Sequence, residues 1–415
     1  MTNDLKPVGG TMGTRAMTEG RGGRLSVSLS GTNLERASDY NQRIVLQAIR
    51  VAGEATRSDL AQTTGLTGPT IANITRRLLD GGLIEEAGRR HGARGQPAVR
   101  LRIKADGGVA IGINVDRDHV TMVAVDLAGR VRHRASHETA FALPEQVAAW
   151  LTSEAAAIRG MGLIDEERLI GIGVAIPDDL ARVALPHMPP GYDRWNRIDV
   201  PKLVRDALPW RLPVDVDNDA AAAAIGEALF GSGLVHPSFF YVLVSAGLGG
   251  GLVIEGSYYR GAAARSGEIG FLPDATVAGA GTLQGTVSLS GLYARLEAAG
   301  LPADGIAALN TDDLKVADVI TDWVADAARA LRNPLIAINC LINPDAVLIG
   351  GRLPMPLADA LIKRLAEELA DAPVPALAPV LRAGMAEDAA AIGAAILPFL
   401  RTVLPSDTIL MQSRK

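Results

Sequence analysis

The segment of residues 40–104 restricts the fold of this sequence more than any other. Its apolar residues first recur at helical spacing, in a stripe that Gly53 ends. Thr56 and Asp59 then have the spacing of a capping box in which the shorter Asp replaces Glu, and Gly65 closes the short helix that follows. We therefore expect two consecutive helices in the first half of this segment.

A third helix is expected immediately afterwards. Thr67 can cap it, and Pro69 falls in its first turn, where a missing amide proton is tolerated. Ile71, Ile74 and Leu78 face inward at helical spacing, which leaves polar and basic residues on the open face. Those open-face residues are Thr70, Asn73, Arg76 and Arg77. A short helix, a Gly-containing turn and such a second helix form a helix-turn-helix, whose second helix enters the major groove of DNA.

Two short strand patterns, at residues 83–86 and 99–103, flank a basic loop and predict a wing. The loop runs from Arg89 to Pro97, and its Arg94-Gly95-Gln96-Pro97 differs at one residue from the Arg-Gly-Arg-Pro core that enters narrow minor grooves. Any one of these arginines alone would be equally consistent with a solvated surface. Taken together, the predicted DNA contacts are Thr67, Thr70, Asn73, Arg76, Arg77, Arg89, Arg90, Arg94, Gly95 and Gln96.

The charge distribution divides the chain in the same way. Residues 33–104 contain 12 Lys and Arg against 7 Asp and Glu, whereas residues 105–415 contain 25 against 37. A basic head on an acidic body indicates one domain that binds a polyanion and one that avoids it. We expect a disordered tail over residues 1–32, a winged helix-turn-helix over 33–104, and a second domain of two lobes over 105–415.

Cysteine content and hydropathy indicate the cellular compartment of the protein. The single Cys340 can form no internal disulfide and no Cys cluster for zinc. No apolar run reaches the length of a membrane span, and the first thirty residues lack the apolar core of a signal peptide. We therefore expect a cytoplasmic, nucleoid-associated protein without a membrane partner.

The larger domain has the pattern of a mixed α/β fold. Apolar runs at 109–115 and 121–125 predict a hairpin, and further strand candidates alternate with Ala- and Leu-rich helical stretches such as 220–230 and 320–338. Those further strands are expected at 169–176, 214–216, 239–244, 252–254 and 346–349. This alternation predicts two lobes around a cleft.

Six blocks of sequence, in order and at matching spacing, resemble the ROK family of repressors, open reading frames and kinases. The resemblance is strongest to its repressors of sugar operons, such as those of xylose and N-acetylglucosamine. The blocks are Asn41 with the helix after it, Gly95-Gln96-Pro97, residues 212–219 with the Ala-rich helix to Glu227, residues 245–251, Arg260-Gly261 with residues 267–270, and residues 342–345 leading to Gly350-Gly351.

The resemblance implies an α+β winged helix-turn-helix followed by a two-lobed α/β actin/hexokinase-like domain of the ribonuclease-H-like type. In the family's kinases this domain binds sugar and ATP, and in its repressors it binds an effector sugar. Carried onto this sequence, the implied sugar contacts are His187, Asn218, Asp219, Glu268 and Gln284. Simpler interpretations compete: Asn218 and Asp219 stand where an N-cap belongs, and His187 fits a surface position.

Departures from the family pattern decide between an enzyme and a sensor. The first phosphate loop of the kinases, Asp-x-Gly-Gly-Thr, is replaced by residues 114–118 without Gly or Thr, and the Gly-Thr of the second loop is Ser245-Ala246. The run Gly247 to Gly251 could admit a phosphate, or could be a plain turn between strands. The zinc-binding His and Cys of the family are Phe271 and Thr282 here. We expect no catalytic residues, no metal and no cofactor.

The sequence therefore predicts a transcriptional repressor of a carbohydrate operon, controlled by a sugar or sugar derivative. Its partners are expected to be duplex DNA with a near-palindromic operator and a second copy of the chain, in a homodimer or homotetramer. Two other interpretations stay open at this point. One is a working sugar kinase with an attached DNA-binding head, and the other is a docking or oligomerising scaffold without a small ligand.

Overall fold

A computed structural model describes residues 34–90, 98–178, 180–181, 188–277, 279, 281–303, 305–306, 309–385 and 388–406. The predicted tail over 1–32 lies outside the described residues, as do the predicted contacts Arg94, Gly95, Gln96 and His187. Among the described residues, no helix has both the length and the apolar character that a membrane crossing requires.

The head contains three helices and a small antiparallel sheet. Its elements are α1 (Leu34–Ala52), β1 (Glu54–Thr56), α2 (Arg57–Thr64), α3 (Gly68–Asp80), β2 (Ile84–Arg90) and β3 (Ala98–Ile103). The predicted capping box is present: the amide of Asp59 donates to Thr56 Oγ1 at 3.2 Å, and the amide of Thr56 donates to Asp59 Oδ2 at 3.0 Å. Gly65 follows α2 with a φ of 70°, the left-handed conformation that suits glycine.

The strands of the head differ from the prediction in two respects. β1 has no counterpart in the sequence analysis, and it pairs with β3 to give the order β1-β3-β2. β2 also runs through Arg89 and Arg90, with an irregular register between Glu86 and Arg89. The prediction that placed Arg89 and Arg90 in the loop was therefore wrong, because pairing with Val99 and Ala98 extends the strand past the apolar pattern.

The first lobe is built on a five-stranded mixed sheet. Its elements are β4 (Val109–Val115), β5 (His119–Asp126), β6 (Val131–Glu138), α4 (Pro144–Met161), β7 (Leu169–Ala175), α5 (Val200–Ala207) and β8 (Val214–Asp217). The strand order is β6-β5-β4-β7-β8, in which β4, β5 and β6 are antiparallel neighbours and β7 and β8 join in parallel. The predicted hairpin of β4 and β5 is confirmed.

The second lobe repeats this topology. Its elements are α6 (Asp219–Phe230), β9 (Phe239–Val244), β10 (Leu248–Ile254), β11 (Ser257–Tyr258), α7 (Leu283–Val287), α8 (Leu289–Ala298), α9 (Leu314–Leu341), β12 (Ala346–Gly351), α10 (Met355–Leu369), β13 (Val380–Arg382) and α11 (Ala389–Thr402). The strand order is β11-β10-β9-β12-β13, again with a meander followed by two parallel strands. The predicted two-lobed mixed α/β fold is confirmed.

Helices α6 and α11 lie between the two sheets. Ala222 of α6 and Ala394 of α11 pack with Tyr241 of the second sheet, while Ile225 and Ala391 of the same two helices pack with the first sheet. The outer face of the first sheet is covered by α4, and that of the second by α8, α9 and α10. The pair α6 and α11 is therefore a shared core element of both lobes.

Candidate functional site

The recognition helix of the head is α3, and its inner face anchors it. Ile71, Ile74 and Leu78 are buried with Val45 and Ile49 of α1, as the helical spacing predicts. Arg57 of α2 donates from Nε to the buried Thr75 Oγ1 at 2.9 Å. These contacts fix α3 against the other two helices.

The outer face of α3 carries the side chains predicted to contact DNA. Thr67 caps the helix by accepting from the amide of Thr70, and Asn73, Arg76 and Arg77 are exposed. Arg76 Nη2 donates to Asn73 Oδ1 at 3.2 Å, so these two side chains lie together on one turn. Arg89 is exposed on β2, outside the helix. This face offers polar and cationic donors of the kind that contact DNA phosphates and base edges.

A second candidate site is a cleft at the start of α6. Asn218, Asp219, Glu268 and Gln284 all line it, so the structure brings together four of the five predicted sugar contacts. The other lining residues are Arg117, Pro177, Asp178, Ala220, Ser245, Gly247, Leu248, Gly249, Gly250, Tyr258, Ala264, Arg265, Ser266 and Phe271. The cleft draws on both lobes, and its free volume is about 50 Å³.

Asn218 is both the N-cap of α6 and a lining residue of the cleft. Its Oδ1 accepts from the amides of Ala220 at 2.9 Å and Ala221 at 3.1 Å. The capping interpretation and the ligand interpretation of this residue are therefore compatible, because the cap uses the amide oxygen and leaves the Nδ2 donor for other contacts.

Asp219 is a buried carboxyl of the cleft whose pKa is raised. Its side chain is buried, and its Oδ1 accepts from the amide of Ala220 at 2.8 Å. Burial, followed by the negative charge of Asp116, raises the pKa of Asp219 to about 7. Near neutral pH this carboxyl can therefore either accept a hydrogen bond from a sugar hydroxyl or donate one to it.

Three charged residues of the cleft were missed by the sequence analysis. Arg265 Nε lies 3.3 Å from Glu268 Oε1 and 3.7 Å from Asp178 Oδ2. Asp178 follows β7, whereas Arg265 comes from the loop after β11, so they meet through the tertiary fold. The third, Arg117, lies in the turn between β4 and β5. From the sequence, this turn was predicted only to be an altered phosphate loop.

Arg117 reaches from the loop between β4 and β5 to the loop between β9 and β10. It is buried, its Nη1 is 3.6 Å from Asp116 Oδ1, and the same atom is 3.4 Å from the point that a Cβ on Gly247 would occupy. Arg117 also lines a neighbouring cavity of about 650 Å³, bounded by Phe141, Ala246 and Tyr293 among others. Its guanidinium therefore stands between the cleft and this larger cavity.

The first loop contains a cluster that could be mistaken for a metal site. Ligand atoms of Asp116, Asp118 and His119 lie within 4.8 Å of one another. His119 Nδ1 is 2.6 Å from Asp118 Oδ1, and Arg352 Nη1 is 3.6 Å from Asp118 Oδ2. Burial alone would raise the pKa of Asp118, but the hydrogen bond with His119 and the charge of Arg352 lower it. Each carboxylate already has an arginine nearby, Arg117 beside Asp116 and Arg352 beside Asp118.

The glycines after Ser245 have a different place from the one predicted. Gly249, Gly250 and Gly251 lie within β10, so the prediction of a Gly-rich turn there was wrong. A Cβ on Gly251 would approach Ala224 of α6, and one on Gly250 would approach the backbone of Gly267. These glycines allow β10 to pack closely on α6 and on the following loop.

Comparisons with known proteins identify both parts of the chain. The profile of the ROK family matches residues 110–399, which is more than half of the sequence. The chain belongs to the ROK family. A winged helix-turn-helix DNA-binding profile matches residues 38–85 in the same chain.

Individual ROK relatives include regulators. The chain is 30% identical over 338 residues to a transcriptional regulator of Mycobacterium tuberculosis, covering 76% of this chain and 75% of that protein. It is 28% identical over 240 residues to the xylose repressor of Bacillus subtilis, covering 56% and 60% respectively. A ROK family transcriptional regulator described as a homolog of the E. coli MLC protein shares the fold, with a TM-score of 0.64, 22% identity and coverage of 90% and 99%.

ROK kinases are also structural neighbours. A ROK glucokinase of Streptomyces griseus, solved with glucose and AMPPNP, matches with a TM-score of 0.55 and 25% identity, covering 70% of this chain and 99% of that chain. This neighbour covers 70% of the chain, whereas the regulator covers 90%.

Proposed function

We propose that this ROK protein is a transcriptional repressor whose head binds duplex DNA and whose cleft binds a sugar or sugar derivative without turnover. The observation that carries the proposal is the presence, in one chain, of an exposed polar and basic face on α3 and a cleft containing Asn218, Asp219, Glu268 and Gln284. The regulators among its relatives support the same function.

In the proposed DNA complex, α3 enters the major groove and the wing contacts the minor groove. Thr67, Thr70, Asn73, Arg76 and Arg77 would supply the helix contacts. Arg89 and Arg90 on β2, with Arg94, Gly95 and Gln96, would supply those of the wing. A homodimer or homotetramer would place two such helices about 34 Å apart on a near-palindromic operator. The division at residues 33–104 and 105–415, and a cytoplasmic, nucleoid-associated location, belong to the same proposal.

The effector proposed for the cleft is a polyol. Carboxyl, amide and guanidinium groups on opposite walls suit vicinal hydroxyls, which donate and accept hydrogen bonds together. The free volume of about 50 Å³ is small for a sugar, so the walls of the cleft would rearrange when it binds. Binding would therefore be linked to a change in the relative position of the lobes.

The position of Arg117 supports binding without phosphoryl transfer. In a ROK kinase the phosphate loops hold ATP beside the sugar hydroxyl, and catalysis depends on positioning and charge stabilisation of the phosphates. Here the buried guanidinium of Arg117 extends to Gly247 and separates the cleft from the larger cavity. If a nucleotide occupied the larger cavity, this guanidinium would lie between its phosphates and the cleft.

The proposed function is tested by measuring DNA binding with the full chain. Wild-type protein should retain a duplex selected from a random-sequence pool, and a panel of D-xylose, D-glucose and N-acetyl-D-glucosamine should include a sugar that changes the affinity. Arg76→Ala should weaken DNA binding, and Asp219→Ala should abolish the effect of the sugar on the affinity. Failure of the wild-type protein to select any duplex would refute the DNA-binding function.

The retained Asp219 favours one alternative, an active sugar kinase with a DNA-binding head. A coupled assay for ADP release separates the two functions. We expect no sugar-dependent ADP release with any sugar that shifts the melting temperature. Sugar-dependent release that disappears in Asp219→Ala would establish the kinase instead.

A further inference from the structure

α1, the first helix of the head, contacts the two-lobed body of the protein through two arginines. They lie two helical turns apart. Arg43 is buried, and its Nη1 donates to the carbonyl oxygens of Leu400 at 3.1 Å, Arg401 at 3.1 Å and Leu404 at 3.3 Å. Leu400 and Arg401 lie in the last turn of α11, and Leu404 follows its end. A cation at a helix carboxyl end satisfies carbonyls that lack helical partners and interacts favourably with the helix dipole.

The second arginine contacts the end of a different helix of the body. The guanidinium of Arg50 lies over the ring of Phe230 at 4.0 Å from the ring centroid, and Phe230 is the last residue of α6. Arg50 is half-buried at this contact, and burial lowers the pKa of its guanidinium to about 10. A shielded cation over an aromatic face is stronger than an exposed one.

The opposite end of α6 is the proposed effector cleft. Asn218 caps the helix and Asp219 is its first residue, so the 12-residue helix connects the cleft to Arg50 directly. At about 1.5 Å per residue the distance is roughly 18 Å. A displacement of the cleft end is therefore expected at Phe230, because a buried helix moves as a rigid segment.

α6 and α11 are joined closely enough to move together. Gly393 of α11 packs so closely on the backbone of Ala222 in α6 that a Cβ could not fit there. The buried carboxylate of Glu227 in α6 accepts from the amides of Ser232 at 2.9 Å and Met385 at 2.6 Å, the latter in the chain leading to α11. Both carboxyl ends that touch α1 thus belong to one packed unit.

We propose that Arg43 and Arg50 are positioning residues that transmit the state of the effector cleft, through α6 and α11, to the orientation of the recognition helix. The last step uses α1, whose Val45 and Ile49 pack against Ile71 and Ile74 of α3. A shift of the ends of α6 and α11 tilts α1 through its two arginines, and α3 turns with it. This proposal rests on the proposed function, since it specifies how the same cleft regulates DNA binding.

The test is a double-mutant cycle on the full chain that needs no identified effector. Asp219→Asn perturbs the cleft end of α6, and its effect on the Kd for a duplex selected from a random-sequence pool is measured in four backgrounds. These are wild type, Arg43→Met with Arg50→Met, Arg43→Lys, and the control Arg102→Met. Arg102 lies in the head but pairs with Glu85 of the neighbouring strand at 2.7 Å. A typical coupling between sites changes affinity about 5-fold or more.

We expect Asp219→Asn to change DNA affinity about 5-fold or more in wild type and in Arg102→Met, and less than about 2-fold in the double arginine variant. Arg43→Lys should retain part of the effect, because lysine can still donate to the carbonyls of α11. An equal Asp219→Asn effect in all four backgrounds would overturn the proposal and would show that the arginines only hold the head in place.

Hydrogen exchange provides a second readout that does not require DNA. Asp219→Asn should alter exchange of the α1 and α3 amides in the otherwise wild-type chain but not in the double arginine variant. If no duplex is selected but this exchange pattern is found, the DNA-binding function fails while the coupling stands. If the wild-type chain binds DNA and the exchange of α1 is unaffected by Asp219→Asn, the coupling fails alone.

Discussion

The carboxyl of Asp219, a proposed sugar contact, lowers the stability of the folded chain near neutral pH. Its pKa is raised from 3.8 to about 7, so the folded state favours the protonated form. Between these two values the folded chain binds more protons than the unfolded chain, and stability falls as pH rises. The loss of unfolding free energy from Asp219 is absent at pH values below 3.8 and reaches its full size above about pH 7.

Replacing Asp219 with Asn should therefore stabilise the body at pH 8 and change little near pH 4. We expect the melting temperature at pH 8 to rise by about 3 °C or more, measured by calorimetry across pH 4 to 8. The matched control is Asp193→Asn, at an exposed carboxylate. A gain of the same size at both ends of the pH range would contradict the assignment of the cost to the ionised carboxyl.

Arg117 has the opposite role, because it is the cation nearest to the buried carboxylates of the cleft. It lowers the pKa of Asp219, against the larger effects of burial and Asp116, and lies 3.6 Å from Asp116. Removing one partner of a buried ion pair typically costs about 3–5 kcal/mol. Arg117→Met should therefore destabilise the body, and more so at pH 8 than at pH 5.

Adding Asp219→Asn to Arg117→Met should restore part of the stability at pH 8, because one uncompensated carboxylate is removed. Denaturant unfolding of the two variants at both pH values measures this. If Asp219→Asn stabilises Arg117→Met no more than it stabilises the wild-type chain at pH 8, the two side chains are not coupled and the cation has another role.

At the scale of elements, the capping box of α2 controls the stability of the segment that precedes the recognition helix. Thr56 is buried, and its Oγ1 satisfies the amide of Asp59. Loss of a Thr N-cap costs about 1 kcal/mol, so Thr56→Ala should speed hydrogen exchange of α2 amides about 5-fold. The control Thr63→Ala removes an exposed threonine of the same helix and should leave exchange within about 2-fold of wild type.

Local signals explain which elements the sequence could predict. The caps at Thr56 and Thr67 and the glycine at Gly65 are encoded within a few residues, and α2 and α3 follow from them. The first helix follows from its apolar stripe. By contrast, β1 has three residues and no alternating pattern, and its existence depends on pairing with β3. Such short strands are set by the tertiary fold and leave little trace in the sequence.

Some residues of the cleft could likewise be predicted from the sequence, and others could not. Asn218, Asp219, Glu268 and Gln284 could be proposed from the family resemblance, and the structure places them around one cleft. The contributions of Asp178 and Arg265 were not predicted, because the two residues are far apart in sequence and meet only when the lobes assemble. Whether the proposed residues bind a ligand stays a prediction.

At the scale of the molecule, the two lobes share their central helices, and the head is attached to the ends of those same helices. The carboxyl end of α6 contacts Arg50 of α1 through Phe230, and the carboxyl end of α11 contacts Arg43 of α1. The amino end of α6 borders the cleft. A ligand that binds one arrangement of the lobes more tightly than another would, by linkage, also alter DNA affinity. The architecture thus provides a physical connection between two sites on different domains.

The charge distribution of the whole molecule leads to a prediction about salt. The head carries 12 basic and 7 acidic residues over 33–104, and the body is acidic, so DNA contacts should come from the head alone. If Arg76, Arg77 and Arg89 of each protomer in a dimer touch phosphates, log K should fall with log salt at a slope of about −5.

Arg76→Ala should reduce the magnitude of this slope by about 2 in the dimer, measured by fluorescence anisotropy from about 50 to 200 mM salt. Arg329→Ala in α9, which removes an exposed arginine paired with Asp326, should leave the slope unchanged. A slope that is the same in Arg76→Ala as in Arg329→Ala would remove Arg76 from the phosphate contacts.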